Sequence, residues 1–281
     1  MTQIREMTEN DFEHALRLTN LMRWDYSRRD FEWMIYFEPK GCFIATDGHK
    51  RIGITTTITH KNLGWIGNVV ISPEYRHRDV GSELVDHAIE YLKSKSVDFV
   101  GLYSYPETSR FYSTLGFEED EHFIELFGLG RPFSFEECRM MTHKDLEDVL
   151  ELDSRCFGAY RKKILEKIFN GFRGFCWLTA SNREVLGYIM GTESATGVEM
   201  GPWICDPQYA EKALSLLKAF LSSAKGMKIS FGVMARNLEL LNKLKELQFE
   251  IDFEVIRMFY KGKKPTMSKN FILAIGSLDR G

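Results

Sequence analysis

The chain has 281 residues, of which 44% are hydrophobic and 13% aromatic, and its formal net charge at pH 7 is −3. This length suits one large domain or two ordinary ones, and the apolar content is sufficient for a packed core. The charge balance gives no reason to expect nucleic-acid binding, and no apolar stretch approaches the roughly 18 residues of a membrane-spanning helix. The N-terminal residues contain no apolar signal region, so we expect a cytoplasmic protein without a membrane partner.

The spacing of cysteines and histidines bears on metal binding and redox state. The five cysteines form no C-x-x-C pair and no metal-ligand spacing, and the seven histidines show no such spacing either. An odd, scattered set of cysteines is typical of reduced thiols in the core of a cytosolic protein. We therefore predict no metal site. The cysteines are Cys42, Cys138, Cys156, Cys176 and Cys205.

The predicted elements occur twice in the same order. Each half begins with a short strand and a helix, over residues 4–21 and 138–152, and continues with two strands joined by a turn. The turn residues are Asp47-Gly48 in the first half and Ser181-Asn182 in the second. A further strand leads through a proline-containing turn into a long helix, and a strand, a helix and a strand complete the half.

A duplication explains this repeated order. Sliding the sequence against itself by 134 positions places Arg5 on Arg139 and six further residues of the first helical region on identical types. The same offset matches Gly53 with Gly187, Pro73 with Pro207 and Tyr75 with Tyr209. We therefore predict one domain over residues 1–130 and a second over 131–281. The Gly- and Pro-containing stretch 128–134 is the predicted linker.

The segment over residues 69–82, which reads VVISPEYRHRDVGS, carries most of the functional information. A β-branched run ends in a proline turn, and a basic, glycine-containing loop then enters an amphipathic helix. Such a loop can bind an anion, because unpaired backbone N–H groups and the positive end of the helix dipole point at one place. The spacing matches neither the nucleotide P-loop nor the Rossmann fingerprint.

This loop resembles the acetyl-CoA pyrophosphate loop of the GNAT N-acetyltransferase superfamily, whose pattern is [QR]-x-x-G-x-[GA]. Here it spans Arg76 to Gly81, and Asp79 stands where the family usually has glycine. A second family motif follows at residues 111–117, which read FYSTLGF. The resemblance implies an α/β (α+β) chain of two tandem GNAT domains. Each would be a mixed, mainly antiparallel sheet flanked by helices.

The two halves differ in the residues that carry this resemblance. Residues 207–214 replace the longer segment 73–84 and contain neither arginine nor glycine, and Leu244 stands opposite Tyr112. Residues 198–203 resemble the degenerate C-terminal GNAT domain of two-domain, YitH-type acetyltransferases. We predict that the first half binds the cofactor. The second half is predicted to be structural or to form one wall of the acceptor site.

The resemblance implies transfer of an acetyl group from acetyl-CoA to a small-molecule or peptide amine by direct attack. Tyr112 is expected to protonate the departing thiolate, and backbone groups at a strand bulge near Asn68 are expected to polarise the thioester carbonyl. The predicted cofactor-binding residues are Val69, Val70, Ile71, Arg76, His77, Arg78, Asp79, Val80, Gly81 and Ser82. The candidate acceptor contacts are Asn68, Trp24, Tyr105 and Glu199.

Several alternatives stay open. Tyr112 could be a half-buried aromatic whose hydroxyl forms a structural hydrogen bond, and Asp79 could cap the helix without any ligand. Trp24 could simply pack at the end of the first helix instead of covering the acceptor. A non-catalytic acyl-CoA-binding or protein-interaction module is the alternative function, and both a monomer and a homodimer are compatible with the sequence. The general base is undecided among Asn68, Tyr103, Tyr105, Glu193 and Glu199.

Overall fold

The computed structural model describes residues 2–182 and 184–281. These residues form two compact units, each with its own set of strands and its own apolar core. The first unit comprises the residues up to Asp120 together with Arg257–Lys264 and Leu278–Gly281. The second unit comprises Glu121–Ile256 and Pro265–Ser277.

Thirteen strands and eight α-helices lie within the described residues. The strands are β1 (Thr2–Glu6), β2 (Cys42–Asp47), β3 (Lys50–His60), β4 (Leu63–Ile71), β5 (Phe99–Ser104), β6 (Phe117–Leu129), β7 (Arg139–Met140), β8 (Trp177–Ser181), β9 (Glu184–Glu193), β10 (Gly197–Cys205), β11 (Lys228–Met234), β12 (Glu250–Tyr260) and β13 (Ile272–Ala274). The helices are α1 (Phe12–Leu21), α2 (Arg28–Phe37), α3 (Val80–Ser94), α4 (Pro106–Thr114), α5 (Leu146–Phe157), α6 (Lys162–Gly171), α7 (Ala210–Ser223) and α8 (Leu238–Glu246).

Each unit has the predicted mixed, mainly antiparallel sheet flanked by helices. In the first unit the strand order is β1-β2-β3-β4-β5-β12, and β12 belongs to it from Arg257 onward. Its parallel pair is β4 and β5, whereas β1 to β4 are antiparallel. In the second unit the order is β6-β11-β10-β9-β8-β7, and β6 belongs to it from Glu121 onward. Its parallel pair is β10 and β11, and β13 also pairs with β10.

The units do not divide at the predicted boundary between residues 130 and 131. From Phe123 onward β6 pairs with β11, which places the end of this strand in the second unit. Conversely, Arg257 on β12 donates two hydrogen bonds of 2.7 and 2.9 Å to Asp120 within the first unit. The predicted linker over 128–134 also begins later than expected, because Leu129 still lies in β6 opposite Lys228.

The predicted duplication is confirmed by the order of elements, which runs from β1 to β6 and again from β7 to β12. The same ion pair recurs in both halves. Arg5 binds both carboxylate oxygens of Asp11 at 2.7 and 2.8 Å, and Arg139 binds those of Asp145 at 2.8 and 2.6 Å. In each case the aspartate also closes a capping box with the threonine three residues before it.

Each half contains a second helix, α2 or α6, that the sequence analysis did not predict. The sequence of α2 is RRDFEWMIYF, in which Phe31, Met34 and Phe37 are buried at helical spacing. Further aromatic residues fall between them, such as Tyr36, which is 59% exposed, and they obscure the pattern. A usable signal was present nevertheless. Ser27 and Asp30 form a reciprocal capping box, in which Asp30 accepts from the backbone and hydroxyl of Ser27 at 2.8 and 2.7 Å.

Helix α3 buries the apolar face that the sequence predicts. Each of these side chains is at most 3% exposed, and burying one large aliphatic side chain contributes roughly 1.5–3 kcal/mol. The residues are Leu84, Val85, Ala88, Ile89 and Leu92. This packing fixes the position of the helix N-terminus, where the predicted cofactor loop ends.

Candidate active site

The centre of the candidate site is a bulge in β4. Gly67 pairs with Thr56 on β3 and Val70 pairs with Ile54, so Asn68 and Val69 together oppose the single residue between them. Asn68 adopts a positive φ of 54°, and its side-chain amide donates to the Thr56 hydroxyl at 3.0 Å. The bulge expected in this segment is therefore present. Because a bulge leaves an extra residue outside the ladder, its backbone groups are the candidates for polarising a carbonyl.

Beyond the bulge, β4 and β5 separate. Their parallel pairing runs from Leu63 opposite Phe99 to Ile66 opposite Leu102, whereas β4 continues to Ile71. In the part of the chain that the structure describes, no other strand pairs with β4 in this gap. The edge of β4 next to Val69, Val70 and Ile71 is thus available for the extended arm of a ligand.

The predicted phosphate loop joins β4 to α3 through two residues with left-handed backbone. His77 has a φ of 61°, and Asp79 has φ and ψ of 60° and 0°. Asp79 occupies the N-cap position of α3, but among the described residues its side chain forms no capping hydrogen bond. The capping interpretation of Asp79 is therefore wrong. The left-handed backbone explains why glycine suits this position, and aspartate tolerates it better than most residues do.

The loop presents positive charge at the N-terminus of α3. Arg76, His77 and Arg78 are exposed, as expected for a surface loop. The Arg76 guanidinium donates to the Ile71 carbonyl at 3.3 Å, and that of Arg78 lies 5.3 Å from the centre of the Tyr75 ring. Because α3 is fifteen residues long, its first backbone N–H groups and its dipole add to this positive potential.

Gly81 brings the two predicted motifs together. An ideal Cβ at this position would lie 3.3 Å from Cζ of Phe111 and 3.8 Å from Cγ1 of Ile71. The loop, the end of β4 and the segment 111–117 therefore meet at the first turn of α3. Val80 is buried at 2% exposure beside this contact, whereas Ser82 is only half-buried. A larger residue at 81 would push α3 and α4 apart or enter the phosphate site.

Tyr112 lies on α4 with its ring in the core, where it contacts Phe111 and Phe117 at ring-centre distances of 5.0 and 6.1 Å. Burial raises the pKa of Tyr112 above its ordinary value, so the phenol is protonated at neutral pH. Its hydroxyl makes no hydrogen bond to any residue that the structure describes. The alternative in which the Tyr112 hydroxyl forms a structural hydrogen bond is therefore wrong.

Two of the four candidate acceptor residues are in direct contact. The indole N–H of Trp24 donates to the Tyr105 hydroxyl at 2.8 Å, across 81 positions of sequence. Tyr105 is the N-cap residue of α4, so this bond ties the end of the first helical region to the helix that carries Tyr112. Trp24 also packs beside Tyr26 at a ring-centre distance of 6.0 Å. The packing alternative for Trp24 is thus correct, and it coexists with the contact to Tyr105.

Glu199 lies in the second unit, on β10 opposite Thr192. Glu125 on β6 lies near Glu199 and is only 8% exposed, but the sequence analysis did not identify it. Burial, together with the negative charges of Glu199 and Asp252, raises the pKa of Glu125 to about 8. Of the other base candidates, Glu193 is exposed at the end of β9. No sequence signal distinguishes Glu125, because an apolar strand pattern around an acid does not reveal its burial.

The second unit fills the gap that corresponds to the one beside β4. The pairing of β10 with β11 ends at Glu199 opposite Ser230. Beyond this point β13 pairs with β10 at Trp203 and Ile204, and the backbone N–H of Ile275 donates to the Gly232 carbonyl on β11 at 3.0 Å. Residues 272–275 thus occupy the space between the diverging strands. Leu244, opposite Tyr112 in the repeat, is fully buried.

Two further properties concern metals and membranes. Over residues 2–182 and 184–281, no group of three or more His, Cys, Asp or Glu side chains could hold a metal ion. All five cysteines are free. None of the helices within these residues is long and apolar enough to cross a lipid bilayer.

Comparisons with known proteins agree with this architecture. Family models described as acetyltransferase (GNAT) domain match residues 38–119 and 149–274. Holothin acyltransferase of Pseudoalteromonas sp. (strain SANK 73390) is 23% identical over 262 residues, which cover 92% of this chain and 87% of that protein.

Solved structures show the same fold. A candidate acetyltransferase from Pyrococcus horikoshii superposes with a TM-score of 0.83 at 20% identity, covering 100% of this chain and 96% of that one. A tandem GNAT protein from the clavulanic acid biosynthesis pathway superposes with a TM-score of 0.64 at 13% identity, covering 94% and 100%. The matches in both halves and the duplicated fold lead to one conclusion: the chain belongs to the GNAT acyltransferase superfamily and is a tandem GNAT protein.

Proposed function

We propose that the chain is an N-acetyltransferase that transfers the acetyl group of acetyl-CoA to an amine, with the cofactor bound by the first unit. The observation that carries this proposal is the coincidence of three features around Gly81. They are the bulged end of β4, which has no strand partner on the side of β5, the basic loop before α3, and the protonated Tyr112. The membership of both halves in a superfamily of acyltransferases supports the reaction class.

The loop suits the pyrophosphate of coenzyme A. The first N–H groups of α3 and its dipole favour a dianionic group, and Arg76 and Arg78 add two positive charges. The pantetheine arm would extend along β4 past Val69 and Val70, where β5 has already diverged. Its thioester would then reach the bulge at Asn68, whose backbone groups polarise the carbonyl.

The transfer requires one bond to form and one to break. The amine nitrogen attacks the carbonyl carbon, the C–S bond breaks, and the thiolate takes a proton from the Tyr112 hydroxyl. The amine releases one proton to solvent water, and a proton from solvent then restores the Tyr112 phenol. With reference pKa values of about 10 for tyrosine and about 8.5 for a thiol, this proton transfer is uphill. Burial raises the pKa of Tyr112 further, and the same apolar surroundings raise the pKa of a thiolate held beside it.

Asp79 opposes the cofactor electrostatically. A carboxylate about 4 Å from a phosphate oxygen costs about 1 kcal/mol in water and about 4 kcal/mol at an effective dielectric constant of 20. Asp79 is exposed, which favours the smaller value, and Arg76 and Arg78 offset part of the repulsion. We expect measurable but weakened binding of acetyl-CoA.

The second unit is proposed to be a degenerate GNAT domain of the YitH type that binds no cofactor in its own cleft. Its gap is filled by residues 272–275, and Leu244 offers no acid at the Tyr112 position. Asp79 favours a second candidate function, in which the chain binds acyl-CoA or a protein partner without turnover.

Turnover separates the two functions. The purified chain is incubated with acetyl-CoA and a panel of amines, while released thiol is followed by absorbance and acetylated amine by mass spectrometry. Equal yields of thiol and acetylated amine are the expected result. Binding of acetyl-CoA without either product on any amine would favour the non-catalytic module.

A further inference from the structure

The two faces of β4 have different roles. An ideal Cβ at Gly64 would lie 2.7 Å from Cδ2 of Leu92, so the position of Gly64 faces α3. Because side chains alternate along a strand, Trp65 and Gly67 point to the opposite face. The phosphate loop belongs to the α3 side. We therefore expect the acceptor amine to approach the bulge from the face of Trp65 and Gly67.

Residues 278–281 of the first unit cover this opposite face. The indole N–H of Trp65 donates to the Leu278 carbonyl at 3.0 Å. Asp279 passes so close to Gly67 that an ideal Cβ there would lie 2.7 Å from its carbonyl oxygen and 2.9 Å from its Cα. Only glycine at position 67 permits this approach. The backbone of Asp279 therefore lies against the residue that immediately precedes the bulge.

Specific contacts hold this segment in place. The His60 imidazole forms a 2.7 Å hydrogen bond with the Arg280 carbonyl, and the Arg280 guanidinium lies 5.7 Å from the centre of the Trp33 ring on α2. Arg280 also donates to the Asp279 carboxylate at 3.1 Å. Asp279 and Arg280 are only 5% and 7% exposed. Burial of two charges is costly unless they are paired and packed in one geometry, so the segment has a defined position.

The location of the segment limits what can reach the bulge. A peptide acceptor needs an extended groove for the residues on either side of its amine, and residues 278–281 already lie along the face of Trp65 and Gly67. A small amine needs only an opening.

We propose that residues 278–281 form the inner wall of the acceptor site of the first unit and restrict the acceptor to a small amine, excluding an extended peptide. This inference rests on the proposed acetyl transfer by that unit. The segment acts as a specificity determinant by occupying space and does not take part in the chemistry.

The test compares a deletion of residues 278–281, the point variant Arg280→Ala and the control Arg17→Ala, which removes an exposed arginine from α1. The probes are lysine, glucosamine, phenethylamine and a decapeptide with one lysine and a free α-amine. Acetyl-CoA affinity is measured first by calorimetry for every variant. In the native chain we expect kcat/KM for the best small amine to exceed that for the decapeptide by at least about tenfold.

The variants should shift this ratio in a graded way. Deletion is expected to raise kcat/KM for the decapeptide about tenfold with acetyl-CoA affinity changed less than about twofold, and Arg280→Ala to do so by a smaller factor. Arg17→Ala should leave the ratio unchanged. If circular dichroism shows that the deletion variant does not fold, the test rests on the ratio of kcat/KM values in the native chain and in Arg280→Ala.

Two results would overturn the inference. One is a native chain that acetylates the decapeptide as efficiently as the small amines; the other is an unchanged ratio in Arg280→Ala and in the folded deletion variant. Failure of the proposed function looks different, because then the native chain shows no acetyl-CoA binding or no turnover on any probe.

Discussion

The two units share one architecture but treat the gap between their parallel strands in opposite ways. In the first unit, β4 runs on from Ile66 to Ile71 without a strand partner on the side of β5, and a basic loop follows. In the second unit, β13 pairs with β10 in the corresponding gap, and Ile275 bonds to Gly232 across it. The second unit thus keeps the shared fold, because its own residues 272–275 make hydrogen bonds in the gap that a ligand would otherwise make.

The loops differ in the same sense. In the first unit, eleven positions separate Pro73 from Leu84, and this segment includes two exposed arginines. In the second unit, only seven positions separate Pro207 from Leu214. A shorter loop brings α7 directly onto the turn that starts at Pro207, so the basic, glycine-containing loop of the first unit has no counterpart in this segment. Filling of the gap and shortening of the loop together predict one cofactor site for each chain.

The largest expected effect is that of Gly81→Asp in the first unit. The new carboxylate meets Phe111 and places a negative charge at the phosphate site, so acetyl-CoA affinity should fall by about 100-fold or more. Titration calorimetry measures the change. The matched control is Ala210→Asp at the first residue of α7, which should leave the affinity unaltered. An affinity that survives Gly81→Asp would remove the loop from the site.

Tyr112→Phe should lower turnover about 100-fold while leaving the affinity for acetyl-CoA intact, because only the proton donor is lost. Tyr209→Phe, a partly exposed tyrosine of the second unit, is the control. Because burial raises the pKa of Tyr112, its ionisation should cause no loss of native activity between about pH 7 and 9. Unchanged turnover in Tyr112→Phe would exclude the acid role.

The repeated ion pairs give a smaller effect on stability. Burial alone would raise the pKa of Asp11, but hydrogen bonds from Arg5, Arg51 and Thr8 hold it well below its ordinary value. The unfolded chain therefore binds protons more readily, and this stabilisation is present above about pH 4 and lost as the pH falls. Asp11→Asn should lower the free energy of unfolding at pH 7 by about 1–3 kcal/mol and by less at pH 3.

The equivalent change in the second unit sharpens the comparison. The hydrogen bond from Arg139 lowers the pKa of Asp145, and among residues 2–182 and 184–281 no second arginine contacts this carboxylate as Arg51 contacts Asp11 at 2.6 Å. Asp145→Asn should therefore cost less stability than Asp11→Asn. Urea unfolding at pH 7 and pH 3 measures the free energy of unfolding of both variants. A larger loss in Asp145→Asn than in Asp11→Asn would contradict this prediction.

The smallest expected effect concerns Asp79. Asp79→Asn removes the charge beside the phosphate and keeps a side chain that tolerates left-handed backbone, so acetyl-CoA affinity should rise about fivefold, equivalent to about 1 kcal/mol. Asp79→Gly should give a similar gain if charge is the cause. If Asp79→Gly tightens binding and Asp79→Asn does not, the backbone conformation limits the site, and the charge does not.

The duplication and the loop could be predicted from the sequence, because each leaves a local mark: a constant offset in the first case, and a proline turn with a short run of basic residues in the second. The strand bulge was expected only from the resemblance to the GNAT family. The filling of the second gap could not. β13 has only three residues, and its partner Trp203 lies about seventy positions earlier in the chain, so no local periodicity reports the pairing.

The exchange of strand ends between the units escaped prediction for a similar reason. Asp120 and Arg257 are 137 positions apart, and their ion pair assigns the end of β12 to the first unit. The position of residues 278–281 against Gly67 likewise depends on one close backbone approach. A glycine permits such an approach, but its presence in a sequence does not predict which segment makes it. The contact between Trp24 and Tyr105 joins residues that were singled out separately and that no pattern connects.

The stoichiometry of acetyl-CoA binding tests the central contrast most directly. Calorimetric titration of the native chain should give one site per chain, and the same titration of Gly81→Asp should give none, whereas Ala210→Asp should retain the single site. Two sites per chain, or one site that persists in Gly81→Asp and disappears in Ala210→Asp, would contradict the assignment of the cofactor to the first unit.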